Sequence, residues 1–168
     1  MAKKIMLIVL FVAGVFTLKA QQYLVTLKEQ GTKMANSAVT GDYKTLLKYT
    51  HPKVIQAMGG TSKAYQIIAN GMDKLKASGA EFEKASVGDH QQLIVGKTNI
   101  QCLITQNLSM KIQGNNIQTV TYLFCITYNG GKDWYFTDVG RGNDVQVRRL
   151  LPEMNPKIVV PKSDKKTN

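Results

Sequence analysis

Asp138 is the residue of this sequence best suited to acid–base chemistry. It follows Trp134 and Phe136 at two-residue spacing, which places all three side chains on the inward face of one strand. A carboxyl group that loses hydration beside aromatic rings can act as a general base or a general acid. The alternative is structural, because an aspartate at the end of a strand can instead cap backbone amides or pair with Arg141.

Two histidines are further candidates, because imidazole changes its charge near neutral pH. His51 precedes Pro52 at the predicted end of a helix, where its ring either takes part in chemistry or satisfies a nearby carbonyl group. His90 adjoins Asp89 in a predicted loop and would need ligands from elsewhere in the chain to bind a metal. No spacing of His, Cys, Asp and Glu fits a closed metal site, so we assign neither a metal nor a cofactor.

Tyrosines provide hydroxyl groups within an apolar wall. Tyr43, Tyr122 and Tyr128 are predicted either to line a pocket or to be core residues with satisfied hydroxyl groups, and Tyr49 is a weaker candidate. The segment Gly140-Arg141-Gly142 lacks the third glycine and the following helix of a phosphate-binding loop. Because the sequence pairs no nucleophile with a base, it demonstrates no catalysis.

Three amphipathic helices are predicted before the strands, because apolar residues recur at steps of three and four. Asp42 is placed to cap the second helix, and His51-Pro52 ends it. A short helical turn then closes at Gly59-Gly60, and Thr61-Ser62 offers the cap of the next helix. The three stripes are Leu24, Leu27, Gly31, Met34, Ala35 and Ala38; Tyr43, Leu46 and Leu47; and Ala64, Ile67, Ile68, Met72 and Leu75.

The period changes to two from Ile100 onward, which is typical of strands with one buried face. Alternation predicts strands over residues 100–112, 120–128 and 134–138, and an earlier strand over residues 82–87 precedes a loop over residues 88–97. The sequence therefore predicts an α+β fold in which helices cover one face of an antiparallel meander.

A three-residue turn at Gly114-Asn115-Asn116 sets the predicted register, in which opposed residue numbers add to 230. Even-numbered side chains then face the helices on every strand, and Cys102 opposes Tyr128. Cys125 falls on the outer face, so a bridge between the two cysteines would have to cross the sheet, and both are predicted to be free. The outer surface, which a partner subunit could cover, is formed by Leu103, Leu123 and Cys125.

The chain of 168 residues suits a single domain, and its two cysteines exclude a disulfide framework. Lys3 and Lys4 precede an apolar run over residues 5–18, and Ala20 offers a cleavage point, as in a secretory signal peptide. The run is shorter than the roughly 20 residues that span a membrane, which favours cleavage over an uncleaved anchor. We therefore expect residues 1–20 to be removed and the protein to be periplasmic or extracellular, with membrane contact only through this peptide.

Loss of the signal peptide lowers the formal charge from +11 to +8. A basic exported protein could meet anionic polymers or lipid headgroups, but scattered lysines are more typical of a solvated surface. Residues 161–168 are expected to form a flexible tail, and no aromatic residues interleave its lysines, so no nucleic-acid partner is predicted. The basic group at this end comprises Lys157, Lys162, Lys165 and Lys166.

Three segments resemble secreted, uncharacterised bacterial members of the nuclear transport factor 2-like superfamily, which includes ketosteroid isomerases, scytalone dehydratase and SnoaL-like cyclases. They are GDYKTLLKYTHPKVI (residues 41–55), TYLFCITYNGGKDWYFTDV (residues 121–139) and LLPEMNPKIVVPK (residues 150–162). The resemblance covers about residues 21–162, and residues 21–160 are predicted to form one domain. It implies a cone-like fold in which three N-terminal helices pack on a curved sheet, with a deep pocket between them and dimerisation through the sheet.

The function that these patterns favour is that of an exported, non-catalytic module, one that holds a small apolar ligand or a peptide in its cone and forms a homodimer. The ligand-binding residues predicted for this pocket are Tyr43, Tyr122, Phe124, Trp134, Phe136 and Asp138. One alternative is a cofactor-free isomerase or dehydratase, with Asp138 as the base and a tyrosine as oxyanion donor, as in ketosteroid isomerases. Another is a structural protein of the cell envelope that uses the outer surface as its contact.

Overall fold

The computed structural model describes residues 22–140, 142–161 and 165–166, and this part of the chain forms an α+β fold with an antiparallel sheet, as predicted. The helices are α1 (residues 22–40), α2 (Tyr43–Tyr49), α3 (Pro52–Ala57), α4 (Thr61–Ala77) and α5 (Asp144–Leu150). The strands are β1 (Ala80–Val95), β2 (Ile100–Ile112), β3 (Asn115–Thr127), β4 (Tyr135–Asp138) and β5 (Lys165–Lys166). They are ordered β1-β2-β3-β4, and β5 pairs with β3. The predicted signal peptide lies outside the described residues.

The predicted helix boundaries are confirmed except at one cap. The Asp42 carboxylate accepts a hydrogen bond of 3.1 Å from the Thr45 amide and so begins α2. Helix α3 starts at Pro52, where the missing N–H costs nothing because the first turn has no intrahelical acceptor. The prediction that Thr61-Ser62 caps α4 is wrong, because Gly60 is the N-cap and provides no side-chain hydrogen bond.

The predicted register of β2 and β3 is wrong. The connection is a two-residue turn of Gln113 and Gly114, whose φ values of 49° and 86° match the primed turns that join twisted strands. Ile112 therefore opposes Asn115, and Cys102 lies opposite Cys125 rather than Tyr128. Opposed residue numbers therefore add to 227 and not to 230. Because side chains alternate between the two faces along a strand, this change from an even to an odd sum moves every side chain of β3 to the other face of the sheet.

The two faces of the sheet consequently have different residues from those predicted. Even positions of β2 and β4 do face the helices, but on β3 it is the odd positions that do so. The helix-side core contains Cys102, Ile104, Leu123, Cys125, Trp134 and Phe136, together with Leu27, Met34 and Ala35 of α1. The opposite core contains Leu103, Phe124, Ile126, Val139, Val147, Leu151, Met154 and Ile158.

Strand β1 continues through residues that were predicted to be a loop. It runs to Val95, and three register shifts against β2 absorb its irregular stretch. Gly88 stands at one of these shifts, where a Cβ atom would lie only 2.1 Å from Thr105 Oγ1. His90 and Asp89 therefore belong to a strand, and the Asp89 carboxylate pairs with Lys28 Nζ of α1 at 2.8 Å.

The connection between β3 and β4 is longer than predicted. It is organised by the Thr127 hydroxyl, which accepts a 3.1 Å hydrogen bond from the Gly131 amide, and by the Asn129 carboxamide oxygen, which accepts one of 3.0 Å from the Asp133 amide. Asp138 consequently opposes Leu123.

The second face of the sheet is covered by the chain itself. After α5, Leu151 and Ile158 pack against this face, and Gln101 holds the segment between them. The Gln101 side chain donates a 2.8 Å hydrogen bond to the Glu153 carbonyl and accepts one of 2.8 Å from the Asn155 amide. Both faces of the central sheet are thus buried within a single chain.

The prediction that Leu103, Leu123 and Cys125 form an outer contact surface is therefore wrong, because all three residues are buried. Leu103 is buried under the C-terminal segment, and Leu123 and Cys125 are buried under α1. Both cysteines are free thiols, but the reason given for this is wrong, because they are cross-strand neighbours on one face. No helix within the described ranges is long and apolar enough to cross a membrane.

Candidate functional site

A cavity of about 530 Å³ lies between the helices and the sheet, and we call it the sheet cavity. Its volume falls within the roughly 300–1,000 Å³ that is typical of small-molecule sites. Every layer of the fold contributes apolar side chains: Met34, Ala38, Leu46, Val54, Met72, Phe82, Leu108, Leu123, Phe136, Val147 and Leu150. The polar lining residues are Thr50, Gln106, Thr137, Asp138, Asn143 and Gln146.

Small residues on α1 control how closely this helix approaches the sheet. A Cβ atom at Gly31 would lie 3.3 Å from both Ile104 Cδ1 and Phe136 Cε1, so the helix and the sheet touch at this point. Ala35 is fully buried one turn later, and Ala38 lines the sheet cavity. Met34 and Ala38 of α1 and Phe136 of β4 thus line the sheet cavity next to this close contact.

Asp138 lines the sheet cavity, but its surroundings are those of a strand end. Asp138 is exposed to solvent. Its Oδ1 accepts a 2.7 Å hydrogen bond from the Gly140 amide, and its Oδ2 accepts one of 3.4 Å from the Thr121 hydroxyl. This is the capping geometry of the structural alternative, and Arg141, the other expected partner, lies outside the described residues. The desolvated setting expected of a general base is not found at Asp138.

The six predicted ligand-binding residues do not converge on one cavity. Phe136 and Asp138 line the sheet cavity, whereas Trp134 packs on the same face within the core. Tyr122 and Phe124 belong to the opposite core, because the parity of β3 differs from the prediction. Tyr43, the first residue of α2, does not line the sheet cavity: its ring meets Tyr65 edge-on at 5.9 Å, and burial raises the pKa of its hydroxyl group.

A second cavity, which sequence reasoning missed, lies among α2, α3 and α4, and we call it the helix groove. Its volume is about 780 Å³, and Tyr135 of β4 forms part of its lining. Lys44 and Lys48 line it from consecutive turns of α2, a spacing of four that places both side chains on one side of the helix. That spacing is its sequence signal, but it is indistinguishable from an ordinary solvated helix face.

A polar network surrounds the buried His51 ring beside Tyr135, and its other members are partly or largely exposed. The His51 ring is 3% exposed, and its Nδ1 accepts a 3.2 Å hydrogen bond from the Lys53 amide. His51 Nε2 therefore carries the proton and donates to Tyr128 Oη at 3.0 Å, and the Tyr128 hydroxyl donates to Glu153 Oε1 at 3.1 Å. Lys53 Nζ closes the network on Glu153 Oε2 at 2.9 Å. The network around His51 thus links the start of α3, the residue that follows β3 and the C-terminal segment.

The electrostatics of this network favour a neutral imidazole. Burial lowers the pKa of His51, and the opposing attraction of Glu153 does not outweigh it. Burial, reinforced by the Glu153 carboxylate, raises the pKa of Tyr128 to about 12. Burial by itself would raise the pKa of Glu153, but hydrogen bonds from Lys53 and Tyr128 lower it overall. Tyr128 therefore belongs to the network and lines neither cavity.

In comparisons with protein-family models, with curated proteins and with solved structures, no significant match to this chain was found.

Proposed function

We propose that this protein is an exported, non-catalytic binding module that holds one small, mainly apolar ligand in the sheet cavity. The scaffold we propose for it is the cone-like nuclear transport factor 2-like fold, in which N-terminal helices and the sheet enclose a ligand. The observation that carries the proposal is a 530 Å³ cavity whose apolar lining comes from every layer of the chain. Such space is costly to leave in a core, because its walls lack van der Waals partners.

The polar residues of the cavity suit orientation better than catalysis. Gln106, Asn143 and Gln146 can donate or accept hydrogen bonds at the cavity wall, but they neither take up nor release a proton near neutral pH. Asp138 is held by Gly140 and Thr121. A ligand with an apolar body and one or two hydrogen-bonding groups fits this lining best.

The test uses N-phenyl-1-naphthylamine, an uncharged apolar probe whose fluorescence rises when it is bound. Ala38→Phe places a phenyl group in the cavity and should weaken binding of the probe at least about tenfold, because even one methylene changes fit in such pockets. Ala77→Phe adds the same group at an exposed position at the end of α4 and should leave binding unchanged. Val54→Phe repeats the test from α3 if Ala38→Phe does not fold.

Circular dichroism and thermal melting would establish that each variant is folded before binding is compared. Equal affinity for the probe in the wild type, Ala38→Phe and Val54→Phe would reject the sheet cavity as the binding site.

A further inference from the structure

The helix groove has the size and shape of a separate ligand site. Its volume of about 780 Å³ lies within the range of small-molecule pockets. Leu47 and Ile55 provide apolar surface from α2 and α3, and Tyr65 and Tyr135 contribute aromatic rings from opposite sides. The groove lies across α2 from the sheet cavity, so the two cavities offer different surfaces.

The charge of the groove has one sign. Lys44 and Lys48 line it, and no aspartate or glutamate does so. The lysines that form ion pairs among the described residues are Lys28 and Lys53, so the ammonium groups of the groove are not neutralised by the chain. Asp42, the acidic residue closest in sequence, caps α2 through the Thr45 amide and attracts Lys44 without forming an ion pair with it.

The wall opposite the lysines is rich in hydrogen-bond donors. Thr61 and Ser62 present hydroxyl groups, and Gln66 presents a carboxamide one turn later on α4. Thr50, the C-cap of α2, adds a hydroxyl group, but this group already donates to the Leu46 carbonyl at 3.0 Å. An acidic group held between the two walls would therefore meet ammonium groups on one side and hydroxyl donors on the other.

The aromatic walls are fixed before any ligand arrives. Tyr65 packs edge-on against Tyr43 at 5.9 Å. The Tyr135 ring packs against the rings of His51 and Tyr128, with centroid distances of 5.8 Å and 6.3 Å, and both of these residues belong to the polar network. Walls that are already ordered lose little conformational entropy on binding, which favours affinity.

We propose that the helix groove binds a small amphipathic organic anion. Its carboxylate or sulfonate group pairs with Lys44 and Lys48, and its ring or short chain lies against Leu47 and Ile55 between the two tyrosines. This inference is independent of the function proposed for the sheet cavity, because the two cavities share only Thr50.

Two fluorescent probes with the same rings test it. 1-Anilinonaphthalene-8-sulfonate carries a sulfonate, and N-phenyl-1-naphthylamine does not. In low salt, the double variant Lys44→Gln/Lys48→Gln should weaken binding of the sulfonate about tenfold, since each lysine contributes a partly screened Coulomb attraction. The matched control Lys74→Gln/Lys76→Gln removes the same charge from exposed positions at the far end of α4 and should leave its affinity unchanged.

Ser62→Trp fills the groove without a change of charge and should also abolish binding of the sulfonate, while the uncharged probe keeps its affinity in every groove variant. Equal weakening of the sulfonate by the two lysine double variants would overturn the proposal, because the effect would then follow net charge alone. Retention of sulfonate binding in Ser62→Trp would overturn it as well. Ala38→Phe, which tests the sheet cavity, should leave binding of the sulfonate at the groove intact.

Discussion

His51 should make the stability of this protein depend on pH in a window of its own. The imidazole is buried, and its Nδ1 accepts a hydrogen bond from the Lys53 amide. Protonation would place a second N–H against that amide and a positive charge near Lys53, offset only in part by the Glu153 carboxylate at 3.8 Å. Burial therefore lowers the pKa of His51 in the folded protein below its ordinary value of 6.5.

The sign of the effect follows from proton linkage. As pH falls below 6.5, His51 becomes protonated in the unfolded chain but stays neutral in the folded protein, because its pKa is lower in the folded state. Stability is therefore complete above the unfolded-state pKa and is lost as pH falls from there through the folded-state pKa, at a slope of up to about 1.4 kcal/mol per pH unit. For a domain of this length, each 1 kcal/mol lowers Tm by about 2–4 °C.

The measurement is urea unfolding at pH 7.5, 6.5 and 5.5 for the wild type and for His51→Gln. Glutamine retains a donor and an acceptor but does not titrate, so the variant should lose less stability than the wild type between pH 6.5 and 5.5. Asp42, Asp89 and Glu153 have lowered pKa values, and their contributions to stability are lost only below about pH 4.5, outside this window. His90→Gln changes an exposed histidine and serves as the control.

Two results would refute this reasoning. One is a pH dependence in His51→Gln that equals that of the wild type, and the other is a wild type whose stability rises as pH falls through 6.5. Glu153→Gln provides a further check, because loss of the carboxylate removes the attraction that raises the pKa of His51. The pH-dependent loss of stability in that variant should continue to lower pH than in the wild type.

Three further predictions concern packing. Cys102 and Cys125 are buried, and burial raises the pKa of Cys125 well above its ordinary value. Neither thiol should therefore react with Ellman's reagent until denaturant is added, when both should react. Fewer than two reactive thiols in denaturant would indicate a disulfide. Gly31→Val should lower the free energy of unfolding, measured in urea, by about 1–3 kcal/mol, because even an added Cβ atom at this position would lie 3.3 Å from its neighbours. Gly71→Ala, at an open position of α4, should instead raise it by up to about 1 kcal/mol. The reverse order would contradict the packing of α1. Gly114→Val places a β-branched residue at φ 86° and should lower Tm, and an unchanged Tm would argue against the two-residue turn.

The helical half of the fold could be predicted because its signals are local. Asp42 caps α2 through a carboxylate three residues before the amide that it accepts from, and Pro52 begins α3 at the position that proline prefers. Such interactions depend on residues that are close in sequence, so they can be recognised without knowledge of the rest of the fold. The α+β class follows from the change of period at Ile100, which is also a local signal.

The register of β3 could not be predicted, because the strand shows no alternation of buried and exposed residues in its second half. All five residues from Leu123 to Thr127 are buried, since helices cover one face and the C-terminal segment covers the other. A strand buried on both faces carries no periodic mark of which side is which. The turn was equally uninformative, because Gln113 adopts a positive φ that glycine or asparagine usually takes, and Gly114-Asn115-Asn116 was the more typical turn sequence.

The polar network and the helix groove were missed for a different reason. His51, Tyr128 and Glu153 are separated by up to 102 positions, and only the folded chain brings them within hydrogen-bond distance. Lys44 and Lys48 read as an exposed helix face until α3 and α4 are placed beside them. Long-range convergence of this kind has no counterpart in periodicity or in local motifs.

The short segment at Thr50 and His51 is the partition on which both proposed sites depend. Thr50 lines the sheet cavity and the helix groove, and it forms a parallel bridge with Phe136 on the edge strand β4. The His51 amide donates to the Phe136 carbonyl at 3.3 Å, and the His51 ring is held by Tyr128. Because β4 holds the backbone and Tyr128 holds the ring, the segment cannot move into either cavity without breaking these hydrogen bonds. Ligands in the two cavities should therefore bind independently at neutral pH, so that each probe keeps its affinity when the other is bound.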